Sequence, residues 1–524
     1  MKTNVTLFLF LFFSLVSNGQ TIEWQNTYGG DNVDILTGIL PVGDTGYLLY
    51  GRSRSNAFAD KSENSYGEHD YWVVRIDTEG EKLWDRTLGG SNQDLLEYAD
   101  LTADGGFILG GCSSSGISGT KTTANEGQAD YWVVKISADG DLLWDKTFGG
   151  TGIDELEKVI TTSDRGSILA GRSNSGISGS KSEESKGGYD YWVIKLDETG
   201  TEEWQKTIGG EDGEGLFQVI ETAQGEYLLS GASSSNISGD KTEPSQGGSD
   251  YWLVKIDQLG SIIWQKTIGG DNGEGPENLI ETEDGLYLVG GYSYSNQSGD
   301  KSEDSNGDLD FWVVAINENG DIVWQNTIGG TNFDALYTIS QATDGGYYLG
   351  GSSFSNTSGD KTEDSNGLQD MWLVKLDNQG VIEWDKTYGG DAGDDLSSSV
   401  TVSESQVLIG GPSRSGISGD KTEALEGYWI LQLTDFPTST IDLSSKSDIQ
   451  VFPNPTNDYV KLRLPTATDK SGQLRIYDIS GRQVHLDDSY RNSEPIDLSM
   501  LCSGIYVLEI MIAQNLYRGR VIVK

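Results

Sequence analysis

The chain has 524 residues, 81 of them acidic and 36 basic, and a formal net charge of -45. A chain this acidic repels nucleic acids and anionic membrane surfaces, so neither is expected as a partner. The 70 glycines, together with many serine, aromatic and β-branched residues, favour strands joined by turns over helices.

Residues 1–19 have the pattern of a secretory signal peptide. Lys2 supplies a charged start, and residues 7–17, LFLFLFFSLVS, form an apolar core too short to span a bilayer. No later segment is apolar enough to cross a membrane, so no transmembrane segment is expected. The two cysteines, Cys112 and Cys502, lie far apart, which argues against a disulfide framework and predicts two free buried thiols.

Most of the chain after the signal repeats with a period of 60 residues. Seven tryptophans open a W-x-x-T-x-G-G motif: Trp24, Trp84, Trp144, Trp204, Trp264, Trp324 and Trp384. Seven more follow Tyr, Phe or Met at the start of a strand-like run: Trp72, Trp132, Trp192, Trp252, Trp312, Trp372 and Trp429. These two sets account for all 14 tryptophans, so tryptophan belongs to the repeat itself.

Each repeat predicts four short strands, which we name A to D. In residues 151–210 they are ELEKVITT, SILAGRS, YWVIKLD and TEEWQKT, with tight glycine-containing turns after A and C and a long Ser/Gly-rich loop after B. Seven such units predict an all-β, seven-bladed β-propeller over residues 20–436. The array starts with a lone D strand and ends on a C strand, so pairing its two ends would close the last blade and leave no free edge.

Two motifs in the repeat resemble known propeller families. The D-x-x-G-x-x-x-W turn, as at Asp197–Trp204, resembles quinoprotein-type (PQQ) repeats, and Asp344–Gly351 is similar to the delta-60 type of bacterial propeller repeat. The resemblance implies a propeller in which the W-x-x-T-x-G-G tryptophans dock between blades. A sugar-stacking role for some of them is the alternative. Quinoprotein dehydrogenases have a vicinal cysteine pair that this chain lacks, so no quinone cofactor is expected.

The composition changes near residue 437. Residues 437–450 form a predicted linker, and residues 442–524 contain ten acidic and ten basic residues. Val460, Leu462 and Leu464 alternate with Lys461 and Arg463, as in a half-buried strand. Several such runs within residues 451–524 predict a small Ig-like β-sandwich.

This C-terminal segment resembles the type A sorting domain of the type IX secretion system of Bacteroidota. The matching positions lie in P-N-P, I-Y-D-x-x-G and G-I-Y motifs and include Pro453, Asn454, Pro455, Gly481, Gly504 and Tyr506. The resemblance implies that residues 451–524 engage the type IX secretion machinery. It further implies export through the outer membrane, removal of the module, and release or surface attachment. An ordinary adhesive sandwich is the alternative.

The long D-to-A and B-to-C connections of every blade lie on one face of the predicted ring, here named the long-loop face. Function on a rigid scaffold usually resides in such loops. An acid occurs four residues after the second glycine of every W-x-x-T-x-G-G motif: Asp34, Asp94, Asp154, Glu214, Glu274, Asp334 and Asp394. One interpretation is a negative rim that binds a cation such as Ca²⁺. The other is that each carboxylate accepts backbone N–H groups of its own turn.

The B-to-C loops share an S-G-D-K-[ST]-E motif, as at Ser238–Glu243. Its lysine recurs in all seven repeats, whereas Thr120 and Ser180 replace the aspartate in two of them. The favoured interpretation is a loop held by exposed lysine–carboxylate and backbone bonds, each contributing little. A ligand surface built from seven such loops is the alternative.

Catalytic motifs are lacking in this sequence. The two histidines, His69 and His485, fall in different domains and cannot build a Ser-His-Asp arrangement. The near-sevenfold regularity argues against an active site, since only repeats 1 and 7 depart visibly from it. The sequence thus favours a secreted or cell-surface protein that binds a glycan or protein on the long-loop face. A glycan-active hydrolase or lyase and a structural surface protein are the alternatives.

Overall fold

The computed structural model describes residues 21–403, 405–434, 450–452, 456, 459–463, 471–478, 483–491, 495–499, 501, 504–512 and 515–523. The signal peptide predicted at residues 1–19 and linker residues 437–449 lie outside these ranges. Contacts divide the chain into two compact units, with the division between residues 436 and 437.

Among its described residues, the first unit contains 28 strands and one short helix. The chain enters with β1 (Thr21–Tyr28). Blade 1 contains β2 (Asp34–Pro41), a 3-10 helix (Gly43–Thr45), β3 (Tyr47–Ser53), β4 (Asp70–Ile76) and β5 (Lys82–Leu88). Blade 2 contains β6 (Asp94–Leu101), β7 (Phe107–Ser113), β8 (Asp130–Ile136) and β9 (Leu142–Phe148). Blade 3 contains β10 (Asp154–Thr161), β11 (Ser167–Ser173), β12 (Asp190–Leu196) and β13 (Glu202–Ile208).

Blades 4 to 7 repeat the same plan. Blade 4 contains β14 (Glu214–Glu221), β15 (Tyr227–Ser233), β16 (Asp250–Ile256) and β17 (Ile262–Ile268). Blade 5 contains β18 (Glu274–Glu281), β19 (Tyr287–Ser293), β20 (Asp310–Ile316) and β21 (Ile322–Ile328). Blade 6 contains β22 (Asp334–Gln341), β23 (Tyr347–Ser353), β24 (Asp370–Leu376) and β25 (Ile382–Tyr388). Blade 7 contains β26 (Ser398–Ser403), β27 (Gln406–Ser413) and β28 (Gly427–Thr434).

The predicted seven-bladed β-propeller with four-stranded blades is confirmed. Each blade is an antiparallel sheet in the order A-B-C-D, and blade 7 is completed by β1 from the start of the array. β1 pairs with β28 in a register that places Trp24 opposite Gln432 and Tyr28 opposite Tyr428. The first and last strands therefore close the ring through a backbone ladder.

The tryptophans of the C strands form the core between blades. All seven are fully buried, and most stack on an aromatic ring of the preceding blade, as Trp252 does on Tyr191 with ring centroids 4.8 Å apart. The Tyr191 hydroxyl also donates to the Trp252 carbonyl at 2.9 Å. Large apolar contact and a satisfied tyrosine hydroxyl thus coincide at five of the seven blade junctions, whereas Phe311 and Met371 supply the apolar contact alone at the other two.

The tryptophans of the W-x-x-T-x-G-G motifs lie on the outer D strands and pack against the next blade. The Trp204 ring lies against Gly260, the glycine of the D-x-x-G turn one blade on, and the Trp204 indole donates to the Gln258 carbonyl at 3.0 Å. Gly260 has a positive φ of 80° and leaves no room for a Cβ beside the ring. The D-x-x-G-x-x-x-W pattern therefore encodes a contact between blades.

The two glycines of each motif are required by close approach. A Cβ on Gly89 would lie 1.9 Å from Asp70 Oδ1 of its own blade, and a Cβ on Gly90 would lie 2.6 Å from Ser115 Cβ of the next. Both distances are too short for any side chain. The G-G pair thus makes room for a buried aspartate on one side and a buried serine on the other.

The second unit is all-β in its described segments. It contains β29 (Gln450–Phe452), β30 (Tyr459–Arg463), β31 (Ser471–Asp478), β32 (Gln483–Arg491), β33 (Ile496–Asp497), β34 (Gly504–Ile512) and β35 (Asn515–Val523). The strands form a β29-β30-β33 sheet and a β32-β31-β34-β35 sheet. Val460 and Ile496 of the first sheet share a core with Leu474 and Leu508 of the second. The Ig-like topology stays a prediction.

Candidate functional site

Six of the seven repeated acids begin an A strand, Asp394 forms an isolated bridge with Ser413 ahead of β26, and the structure buries all seven. In blade 2, Asp94 Oδ2 accepts the Gly90 N–H at 2.7 Å and the Ser115 hydroxyl at 2.9 Å. The same bonds recur around the ring, which is the local arrangement that the sequence left open. The described ranges contain no group of three or more His, Cys, Asp or Glu side chains that could hold a metal ion. The calcium rim stays a prediction that melting with Ca²⁺ and with chelator would test.

Six of these acids lie next to a second acid from the neighbouring blade, the aspartate that starts its C strand. Asp250 interacts with Glu274 across the junction of blades 4 and 5, and Asp250 Oδ1 has no hydrogen-bond donor among the described residues. A proton on Asp250 that bridges to Glu274 would satisfy this oxygen, whereas both Glu274 oxygens already accept hydrogen bonds. The six pairs are Asp70–Asp94, Asp130–Asp154, Asp190–Glu214, Asp250–Glu274, Asp310–Asp334 and Asp370–Asp394.

Burial, helped by the adjacent acid, raises the pKa of the C-strand aspartate in all six pairs to about 6. The folded chain therefore holds protons that the unfolded chain releases between about pH 4 and pH 6. The stabilisation is complete below pH 4 and is lost as the pH rises through 6. We expect the melting temperature to fall between pH 5 and pH 8, with each site contributing on the order of 1 kcal/mol.

The variant Asp250→Asn isolates one pair, because an amide can donate to Glu274 without a titrating proton. It is expected to flatten the pH dependence, whereas the exposed control Asp271→Asn leaves it unchanged. A melting temperature that is constant or rises between pH 5 and pH 8 would show that the pairs are not protonated in the folded chain.

The repeated loop lysines are buried, which corrects the prediction of exposed, weakly contributing contacts. Lys241 lies over the Trp252 ring, with its Nζ 5.3 Å from the centroid, and donates to Thr267 Oγ1 at 3.0 Å. Thr267 is the threonine of the next W-x-x-T-x-G-G motif in the chain. Burial lowers the pKa of Lys241 to about 8, with Asp250 and Glu214 opposing the shift. The lysine, tryptophan and threonine thus form one buried cluster in each of several blades.

The other loop positions also serve the framework. Glu243 accepts the Thr267 N–H at 2.8 Å, and Asp240 Oδ2 accepts the Gly209 N–H of the preceding blade at 3.1 Å. Where threonine or serine replaces that aspartate, the bond is kept: Thr120 Oγ1 accepts Gly89 N–H at 2.8 Å. The side chains of the repeated motifs therefore form hydrogen bonds within and between blades.

The positions that do not repeat gather at the centre of the ring. The A strands surround a cavity of about 880 Å³, here named the central channel, which residues from all seven blades line. In blades 1 to 6 the register of strand A shifts at its fourth residue, which forms a β-bulge. The bulge residues are Thr37, Glu97, Glu157, Phe217, Glu277 and Tyr337, all of which line the channel.

The channel wall contains both charged and aromatic side chains. Arg52 Nη1 pairs with Glu97 Oε1 at 2.8 Å within the wall. Arg172, whose Nε pairs with Glu155 Oε2 at 2.6 Å, does not line the wall but acts electrostatically on the lining residue Glu157. Lys158 Nζ lies 3.3 Å from the centroid of the Tyr98 ring. The wall therefore contains charged side chains and the Tyr98 ring on blades 1 to 3. On blade 6 it contains the Tyr337 ring.

Several channel groups titrate near neutral pH. Burial raises the pKa of Glu157 to about 8, with Glu97 adding to the shift and Arg172 opposing it. Burial also raises the pKa of Glu277 to about 7 and lowers that of Lys158 to about 7. A carboxyl group in this range can donate as well as accept a hydrogen bond. Perturbed groups of this kind concentrate at functional sites.

A propeller of this kind implies a central channel, but the residues that line it were not among the predicted site residues. Visible departures from symmetry were expected only in repeats 1 and 7, whereas the third residue after the repeated acid varies around the array. It is glutamate in three repeats and Thr37, Phe217, Tyr337 and Ser397 in the other four. Superposing the seven repeats and marking the variable positions of strand A would have pointed to it. The pattern could not show that a bulge turns this residue towards the axis.

Comparison with known proteins settles the role of the second unit. Residues 450–524 match the secretion system C-terminal sorting domain family. The predicted sorting domain is confirmed, and it marks the chain for secretion or cell-surface attachment through the type IX machinery. Bacteroidota as the source follows from this domain. No helix in the described part of the chain has the length and apolarity needed to span a bilayer.

The sorting-domain motif residues are only partly described. Pro453, Asn454, Pro455 and Gly481 lie outside the described residues. Gly504 begins β34, and Tyr506 two residues later is buried in the core of the unit. The G-I-Y motif thus contributes at least its tyrosine to the packing of the sorting domain.

A curated relative matches part of the chain. The regulatory protein FlaEY of Caulobacter vibrioides is 26% identical over 176 residues, a match that covers 32% of this chain and 18% of that protein. The chain therefore spans less than a fifth of that relative's length.

Solved structures with similar folds are distant. Hydrazine synthase of Kuenenia stuttgartiensis has a TM-score of 0.44 and 12% identity, covering 73% of this chain and 94% of that one. The Pan2 WD40 domain of Neurospora crassa has a TM-score of 0.42 and 9% identity, covering 80% and 96%. The propeller domain of the Trilobed protease of Pyrococcus furiosus has a TM-score of 0.38 and 10% identity, covering 79% and 98%. At these values none of the three supports an inference about function.

Proposed function

We propose that this chain is a secreted or cell-surface binding protein whose propeller recognises a glycan or a protein on its long-loop face, at the mouth of the central channel. The observation that carries the proposal is the division of labour among the repeats. Motifs that recur in every blade are used by contacts of the framework, whereas variable side chains line the channel. Binding residues on a rigid scaffold show this pattern.

The chemistry of the channel supports a neutral ligand. Burial raises the pKa of Glu157 to about 8 and that of Glu277 to about 7, and the ion pair with Glu97 compensates the charge of Arg52. The overall charge of -45 repels polyanions. A ligand with hydroxyl or amide groups would exchange hydrogen bonds with these side chains without carrying its own charge into the site.

A binding test uses the secreted full-length chain against a panel of neutral oligosaccharides and candidate surface proteins, with affinity measured by calorimetry. The channel variant Tyr337→Ala is expected to weaken binding by about tenfold or more, which corresponds to about 1.4 kcal/mol. The control Ile263→Ser changes an exposed bulge residue on the outer strand of blade 4 and is expected to have no effect. Binding that is absent, or equally affected by both variants, would contradict the proposal.

A glycan-active hydrolase or lyase is the second candidate, favoured by Glu157. A carboxyl group that stays protonated at neutral pH is what a general acid requires. If the channel cleaves a bound glycan, the full-length chain releases new reducing ends, and Glu157→Gln abolishes the release while binding persists. If the glycan binds and no reducing ends are released, the hydrolase proposal is wrong and the binding function stands.

A further inference from the structure

Four aromatic side chains meet at the long-loop face of blades 5 and 6. The rings of Tyr292 and Tyr294 lie 6.0 Å apart at an angle of 81°, and those of Tyr294 and Phe333 lie 6.2 Å apart at 79°. Phe354 lines an open depression of about 500 Å³ together with Phe333, Asn332 and Asp308. We name Tyr292, Tyr294, Phe333 and Phe354 the aromatic patch.

The fold does not require these rings. The position of Phe333 is occupied in the other blades by Val33, Gln93, Ile153, Gly213, Gly273 and Gly393. The shared position of Tyr294 and Phe354 is occupied elsewhere by Arg54, Ser114, Asn174, Ser234 and Arg414. Serine, asparagine and glycine thus complete the same turns, so the aromatic residues are an addition specific to two neighbouring blades.

The patch is exposed although its residues are large and apolar. Tyr294, Phe333 and Phe354 keep 41%, 43% and 45% of their surface exposed. Grouped aromatic rings left open to water are a feature of binding surfaces, because the fold gains nothing from exposing them together. The aliphatic residues exposed on other blades, such as Ile117 and Ile237, sit singly at loop tips and repeat from blade to blade.

The backbone beneath the patch is fixed. The Phe354 N–H donates to the Phe333 carbonyl at 2.9 Å, and the Tyr294 N–H donates to the Gly273 carbonyl at 3.0 Å. Asn332 is held at its N–H by Ser355 Oγ at 2.9 Å and at its side-chain amide by the Phe354 carbonyl at 3.2 Å. Rings that are fixed in advance lose little conformational entropy when a ligand binds.

Tyr292 of the patch lies near Tyr337, a residue that lines the central channel. Burial raises the pKa of Tyr337 to about 12, and Asp395, Glu277 and Tyr292 add to the shift. One surface therefore combines ring faces outside the channel with hydrogen-bonding groups at its wall. The near-perpendicular rings offer separate faces rather than one smooth apolar groove.

A neutral glycan fits this surface best. The C–H face of a sugar ring is apolar and slightly positive, which suits the negative face of an aromatic ring, and its hydroxyl groups can bond Asn332, Asp308 and the channel carboxyls. The net charge of -45 disfavours an anionic polysaccharide. We propose that the aromatic patch is the binding site for a neutral glycan, with sugar rings stacked on Phe333 and Phe354 and the chain leading towards Tyr337. This inference rests on the proposed binding function and specifies the class of ligand and the two blades, 5 and 6, that bind it.

The test measures binding of the full-length chain to cello-, chito-, xylo- and manno-oligosaccharides, with heparin and a proline-rich peptide as comparisons. Phe333→Ala and Phe354→Ala are each expected to weaken neutral glycan binding by about tenfold or more. Val33→Ala is the matched control, since Val33 occupies the repeat position of Phe333 and has the same 43% exposure. The control is expected to bind as the wild type does.

The outcomes separate this inference from the proposed function. If an oligosaccharide binds and Tyr337→Ala weakens it while Phe333→Ala and Phe354→Ala do not, the channel is the site and the aromatic patch is not. If heparin or the peptide binds in place of every neutral oligosaccharide, the ligand class is wrong. If nothing binds, both the inference and a glycan-binding function fail. A melting temperature close to that of the wild type confirms that each variant is folded.

Discussion

A variant that lacks residues 451–524 is expected to be retained inside the cell, whereas the full-length chain reaches the medium or the cell surface. The reason is that residues 450–524 match a family of secretion system C-terminal sorting domains. The effect is expected to be nearly complete, because a sorting domain is the feature by which the secretion machinery selects its substrate. Immunodetection in cell fractions and in the medium measures it.

The retained protein should still contain a folded propeller. The two units divide between residues 436 and 437, and the propeller ring closes through β1 and β28 without the second unit. Protease resistance of the retained protein checks this and excludes degradation as the cause of its loss. Transfer of residues 437–524 to an unrelated passenger is expected to export that passenger. Unchanged surface delivery of the truncated chain would contradict the sorting role.

The second large effect is expected from Trp252→Ala, which should destabilise the propeller by about 3–5 kcal/mol. Trp252 is fully buried and stacks on Tyr191 of the preceding blade. The ammonium group of Lys241 also lies over the Trp252 ring. Truncation would leave a cavity between two blades and remove the cation–π contact with a buried lysine. Urea unfolding, read as the shift in midpoint at constant slope, measures the loss.

Trp264→Ala is the matched control from the same blade. Trp264 lies half-buried on the outer strand, where it covers Gly320 of the next blade and donates to the Glu318 carbonyl at 3.1 Å. Folding removes less of the Trp264 side-chain surface from water than of the Trp252 surface. We therefore expect Trp264→Ala to reduce the free energy of unfolding by about half as much as Trp252→Ala does. Equal losses for the two variants would show that the inner and outer tryptophans contribute alike and that burial does not rank them.

The fold was largely predictable because the repeat displays its own architecture. Trp24 to Trp384 recur every 60 residues, and the lone D strand at one end and missing D strand at the other specify ring closure. β1 pairs with β28 as this arrangement requires. The tight turns were predictable from Gly260 and its equivalents, which need the positive φ that glycine adopts at little cost.

The environment of the repeated charged residues was not predictable from the sequence. Lys241 was expected at the surface because a lysine is rarely buried without a partner. Its partners, the Trp252 ring and Thr267, lie on other strands of the blade and come together only in the folded sheet. Asp250 and Glu274 belong to different repeats, so their pairing across a blade junction was equally hidden.

The residues that line the channel could not be predicted, for a geometric reason. Strand periodicity assigns alternate residues to opposite faces, and a bulge at Glu157 or Glu277 breaks that alternation without a sequence signal of its own. Asp34 and its equivalents drew attention because they repeat, yet repetition in this chain marks contacts of the framework. Variation among the repeats was the better guide to the surface that meets a ligand.

The central claim is that the non-repeating side chains at the channel mouth, and not the repeated motifs, carry recognition. A crystal structure of the full-length chain with the tightest-binding neutral oligosaccharide tests it most directly. The account predicts sugar rings on Phe333 and Phe354, with the glycan leading towards Tyr337. A glycan seated instead on the repeated B-to-C loops around Lys241 and its equivalents, at several blades alike, would contradict it.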